Sequence, residues 1–230
     1  MALMSQPWLA PPWPSQSALS QAFLPHVLTK IPANQIVAAV VATSFAAGLN
    51  LYATVAILGL ASRYGWVALP PQYQVFDNNW IIGTALVLYV VEFVADKIPW
   101  IDSAWDAVHT VIRPIGGALI AVATLGDASP ATETMVALLG GALAASTHFS
   151  KAGTRVMANA SPEPFTNWFL SIGEDLFVVG LGVLALRYPA AAAIVVIVCV
   201  AIIVSFAAWI ARAVRRRWRG AWGAPGAPGA

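Results

Sequence analysis

Charge is what this chain has least of. Of its 230 residues only 10% are Asp, Glu, Lys or Arg, where a soluble domain carries roughly a quarter. Too little polar surface remains to cover a water-facing globule, which excludes a soluble enzyme, a nucleic-acid-binding domain and a disordered scaffold. Cysteine is nearly absent as well. Cys199 alone allows neither an intrachain disulfide nor a thiolate metal cluster, and its place in an apolar run reads as a small lipid- or protein-facing hydrophobe. No Lys or Arg precedes Lys30, and five prolines from Pro7 to Pro25 interrupt any apolar core, so the amino terminus does not read as a signal peptide. A Gly-rich phosphate loop, an HExxH pair and a nucleophile elbow are all missing. No enzyme activity, cofactor or metal is expected.

Apolar residues fill the space that charge leaves. They make up 59% of the chain, at a mean hydropathy of +0.74. Six segments approach the roughly 20 residues that a membrane-crossing helix needs, at about 36–62, 79–97, 114–127, 131–156, 163–187 and 189–211. The expectation is an all-α membrane protein. Residues 1–34 form an irregular arm rich in Pro and Trp, 35–212 a single transmembrane domain, and 213–230 a basic, then Gly/Ala/Pro-rich tail. Within the arm, Leu19, Phe23 and Val27 suit a short surface helix. Ser161-Pro162-Glu163 starts the fifth span with a capping residue, a first-turn proline and an acid.

The basic residues orient the spans. With the arginines from Arg212 to Arg219 in the cytoplasm and six crossings counted back, ten of the twelve Lys and Arg side chains fall inside; only Arg63 and Arg187 fall outside. That bias predicts both termini inside. Between spans two and three, residues 101–113 read as an amphipathic helix. Asp102, Asp106, His109 and Arg113 lie on one face, and Ile101, Trp105, Val108 and Ile112 on another. Such a helix is expected along the inner membrane surface, with Pro114 opening the third span. Arg113 there is a candidate for an anion such as a lipid phosphate, beside the plainer role of anchor.

Two echoes suggest internal duplication. A shift of 124 positions lays Leu60–Gly65 on Leu184–Pro189 and Asn50 on Glu174, consistent with a parallel duplicated helix pair formed by spans 1–2 and 5–6. Gly116-Gly117-Ala118-Leu119 likewise matches Gly140-Gly141-Ala142-Leu143. Glycine pairs permit close helix packing and suit a homo-oligomer.

Polar side chains stand where lipid is expected. Asn50 sits near the middle of span one, Glu174 and Asp175 near mid-depth in span five. Ionised groups at that depth cost roughly 2.5–3.5 kcal/mol each, so the acids mark either a cation- or proton-handling site or a structural hydrogen-bonding pair. Tyr89, Glu92 and Asp96 share a face of span two, with Lys97 free to snorkel. His148, Lys151 and Arg155 share a face of span four, forming either an interfacial edge, the plainer reading, or one wall of a polar vestibule.

The combination of Gly48-Leu49-Asn50-Leu51-Tyr52, the Ala95–Asp102 stretch ADKIPWID, Trp105-Asp106, the His148/Lys151/Arg155 stripe, Ser161–Phe165 and Gly173-Glu174-Asp175 resembles one family. It is a bacterial family of small integral membrane proteins catalogued as a domain of unknown function, and the resemblance covers about residues 36–188. It implies a multi-pass protein of the bacterial inner membrane and brings no assigned activity. The residues themselves favour a channel or secondary carrier for an ion or small polar solute. Asn50, Glu174 and Asp175 would form a mid-membrane site, and Glu92, Asp96, His148, Lys151 and Arg155 a cytoplasmic vestibule. The alternative is a protein that binds or moves lipid headgroups, or a membrane-embedded assembly partner. Membrane lipids are expected partners under either reading, and nucleic acid under neither.

Overall fold

The computed structural model describes residues 32–67, 69–159 and 164–222. The expected arm, the capping triplet at 161–163 and the tail beyond 222 lie outside them. Among the described residues every regular element is a helix: α1 Ala33–Leu49, α2 Leu51–Tyr64, a short 3₁₀ helix Pro71–Phe76, α3 Asn79–Ala95, α4 Pro99–Leu125, α5 Pro130–Asn159, α6 Pro164–Arg187 and α7 Pro189–Trp222. Of these α4, α6 and α7 are long and apolar enough to cross a membrane, and α1 and α3 are shorter apolar helices. The protein is a helical membrane protein.

Helix ends follow local chemistry. Asn78 starts α3 by accepting from the amides of Trp80 and Ile81. Proline opens α4, α5, α6 and α7, where its missing N–H has no intrahelical partner to lose. Gly65 ends α2 at φ 58° with its N–H on Ala61 O, a left-handed position that favours glycine.

Ten of the seventeen residues of α1 are buried, and it packs against α4, α5, α6 and α7. It is the central helix. Small side chains let its neighbours approach: a Cβ on Gly48 would sit 2.4 Å from Ala144 O. The glycine pairs act likewise within the chain. A Cβ on Gly117 would lie 2.3 Å from Ala144 Cβ, and one on Gly140 2.4 Å from Ala121 Cβ, so these glycines shape the crossing of α4 and α5. The packing that suggested a homo-oligomer is used inside one chain.

Three expectations change. The segment 36–62 is not one helix, because the backbone breaks at Asn50. The amphipathic stretch 101–113 and the span 114–127 are one continuous helix, α4, with Pro114 inside it. A proline there removes one backbone bond, which neighbouring helices make tolerable in membrane proteins. Its polar face is also inverted relative to a surface helix. Asp102, Asp106, His109 and Arg113 are buried, while Val108, Val111, Ile115 and Leu119 are exposed. In lipid the apolar face belongs outside and the polar face must find partners within. The duplication has no backbone counterpart at its key position. Asn50 interrupts its helix, whereas α6 runs unbroken through Glu174.

Candidate functional site

Asn50 adopts φ −147° and ψ 101° between α1 and α2. Its side chain accepts from Ala53 N at 2.9 Å, replacing a backbone partner at the start of α2. The displaced carbonyls of α1 turn elsewhere. Gly48 O accepts from Arg113 Nη1 at 3.3 Å and Leu49 O from Lys151 Nζ at 3.3 Å. The carbonyl end of a helix carries partial negative charge, so two cations there are electrostatically matched.

Those cations belong to a buried ionic network. Glu92 Oε1, at the end of α3, lies 2.6 Å from Arg113 Nη2 and 3.3 Å from Lys151 Nζ. Asp96 Oδ2 lies 3.0 Å from both Lys151 Nζ and Arg155 Nη2. Glu174 Oε2 lies 2.6 Å from Arg155 and 3.5 Å from Lys151. Asp106 stands 3.5 Å from Arg113, and Asp102 stands 4.0 Å from Arg155. The three cations and Glu92 are at most 3% exposed; Glu174 is the most open acid, with its side chain 16% exposed.

Hydrogen bonds extend the network at both ends. Arg113 Nη1 meets His148 Nδ1 at 2.8 Å, and Thr110 Oγ1 meets His148 Nε2 at 3.2 Å. Tyr52 OH meets His109 Nε2 at 3.0 Å. Toward the ends of α5 and α6, Asn159 Nδ2 donates to Asp102 Oδ2 at 3.1 Å, and Asn167 Nδ2 donates to Asn159 Oδ1. Along α5 the column from Asn159 to His148 spans about 16 Å at 1.5 Å per residue. Beyond Asn50 the interior turns apolar, with Leu51, Leu58, Tyr73, Phe76, Ile120 and Leu186 packed together. The polar column thus begins at one end of the helices and stops near the break.

All the residues expected at a mid-membrane site and vestibule are therefore brought together. His148, Lys151 and Arg155 form an inner wall rather than an interfacial edge, since all three are buried. The acidic pair splits: Glu174 joins the cations, while Asp175 Oδ1 accepts from Asn50 Nδ2 at 3.1 Å. Arg113 is fully buried against Glu92, so its anion comes from the protein and not from lipid. Lys97 folds back, donating to Phe93 O at 2.8 Å and Ser171 Oγ at 3.3 Å. Sequence reasoning missed Asp102, Asp106 and His109 because it turned their face toward water, and missed Tyr52 and Asn167. The shared face of the first three was the available signal.

The glycines at the helix crossings and the polar column around the asparagine break all lie within one family segment of the chain. The chain belongs to the family described as a domain of unknown function (DUF4126), whose model matches residues 37–209. No curated protein and no solved structure matches it.

Proposed function

We propose that this protein is a small membrane transport protein, a channel or secondary carrier for an ion or small polar solute. In this reading α1 and α2 together make one of six crossings of the bacterial inner membrane. Both termini lie in the cytoplasm, as the ten-to-two distribution of basic residues favours. The polar column then opens toward the cytoplasm, and the apolar cluster around Leu58 and Phe76 seals the other side.

The observation that carries the proposal is the broken helix with its carbonyl end held by Arg113 and Lys151 inside a buried ionic network. Discontinuous helices at mid-depth, with backbone groups turned to charges, are a recurrent construction of transporter binding sites. Stability does not call for it, because buried ion pairs are commonly replaced by packed hydrophobes at no loss. Lipid handling is less well supported. It needs cations free for a phosphate, whereas Arg113, Lys151 and Arg155 are buried and matched by carboxylates.

Reconstitution in liposomes with a panel of ions and small polar solutes tests the proposal. Wild type is expected to move at least one of them, and Glu174→Gln, which leaves Arg155 with Asp96 and Asp102 but removes its 2.6 Å carboxylate partner, to move it at least tenfold more slowly. No flux for any member of the panel, or an unchanged Glu174→Gln, refutes transport through this column.

A further inference from the structure

The network carries more acid than base. Glu92, Asp96, Asp102, Asp106, Glu174 and Asp175 face Arg113, Lys151 and Arg155, so six carboxyl groups share three cations, with Lys97 beside them at the edge of the network. Five of the six have a cation within 4.0 Å. Among the described residues, no ion pair reaches Asp175.

Asp175 is more than nine-tenths buried. Its Oδ1 takes the hydrogen bond from Asn50, and its Oδ2 is enclosed with no hydrogen-bond partner. An ionised carboxylate placed so would have one neutral amide as its hydrogen-bond donor and no ion pair, with Lys151 and Lys97 standing farther off, which a low-dielectric interior disfavours. A neutral carboxyl needs much less: its carbonyl oxygen keeps the Asn50 bond, and only a hydroxyl is left over. A proton removes the charge in place and leaves the Asn50 bond intact, so a proton is the ligand that this buried carboxyl suits.

We infer that Asp175 is the proton-binding residue of this protein, protonated in the conformation described and releasing its proton to water when the helix break rearranges. Where the proton sits rests on geometry alone; what its movement drives rests on the transport reading.

The link to the break is direct. Asn50 caps α2 through its carbonyl oxygen and holds Asp175 through its amide nitrogen. The charged and titratable groups around Asp175 are Lys151 from α5, Tyr89 and Glu92 from α3, and Asp96 and Lys97 from the turn after it. Lys151 is shared among Glu92, Asp96, Glu174 and Leu49 O. Loss of the Asp175 proton adds a fourth carboxylate to that competition. Lys151 is then drawn from Leu49 O, and the end of α1 loses a cation. One proton leaves the Asp175 hydroxyl for solvent, its electron pair stays on the carboxylate, and no other bond changes.

Infrared difference spectroscopy of the full-length protein in lipid nanodiscs, in H₂O and D₂O across a pH titration, tests this. Wild type is expected to show a deuterium-sensitive protonated-carboxyl band; Asp175→Asn removes it and Glu174→Gln leaves it. Asn50→Ser keeps a cap oxygen but does not reach Asp175, so the band moves to higher frequency as its carbonyl loses a donor. A band unchanged in Asp175→Asn overturns the inference. If Asp175→Asn does not fold, an unshifted band in Asn50→Ser overturns it instead. The liposome assay separates the two readings. A band assigned to Asp175 in a protein that moves nothing keeps the proton and removes transport, whereas flux without the band does the reverse.

Discussion

Replacing Glu92 by Gln is the sharpest perturbation of the network, because it changes one charge and almost no volume. Glu92 Oε1 serves Arg113 at 2.6 Å and Lys151 at 3.3 Å, and all three side chains are buried. Removing one member of a buried pair costs about 3–5 kcal/mol, since the partner's charge is left without compensation. Two features place this case at the lower end. The Gln carbonyl still accepts from both charged donors, and a hydrogen bond with one charged partner contributes about 1.5–3 kcal/mol. Lys151 also retains Asp96 at 3.0 Å, and Arg113 retains Asp106 at 3.5 Å. The expected loss is about 3 kcal/mol, roughly a hundredfold in the ratio of folded to unfolded protein. Titration of mixed micelles with a denaturing detergent, followed by circular dichroism, measures it. Glu92→Gln combined with Arg113→Met removes both charges, and the double mutant should be more stable than the sum of the single effects by about 2 kcal/mol. Strict additivity, or a Glu92→Gln protein as stable as wild type, refutes an ionic interior.

Two further predictions concern packing and the 3₁₀ helix. Gly140→Val should destabilise by about 1–3 kcal/mol through overpacking against Ala121. Gly83→Ala, where nothing lies within 4 Å, should stabilise slightly by helix propensity; paired thermal-shift measurements in detergent compare them, and equal effects would contradict the close crossing of α4 and α5. Burial pushes the Tyr73 phenol from 10.0 to about 12. Its protonated form is thus favoured in the folded state, and that contribution is complete below the unfolded value and lost as pH rises through the folded one. Tyr73→Phe should flatten this alkaline limb of the stability profile, and an unaltered limb would exclude the buried phenol as its source.

Much of the site was legible because helical spacing is a local property. Tyr89, Glu92 and Asp96 share a face by their gaps of three and four residues, as do His148, Lys151 and Arg155, and both sets supply the ionic network. Asn50 was marked by polarity alone in an apolar run. What it does to the backbone was not legible, because a break needs acceptors and donors from elsewhere: Arg113 and Lys151 for the freed carbonyls, Asp175 for the amide. The face of Asp102, Asp106, His109 and Arg113 is legible from spacing, but its direction is not, because neighbouring helices cover it.

Composition and the lengths of the apolar runs determined on their own that this is a helical membrane protein, because they set how much polar surface is available and how far a helix can reach. Periodicity determined which side chains lie together on a helix. Only the tertiary structure decided which way each face turns, since spacing along one helix says nothing about what covers it. It also decided that Glu174 pairs with cations while its neighbour Asp175 meets an asparagine 125 residues away, because successive positions on a helix point about 100° apart and so face different partners.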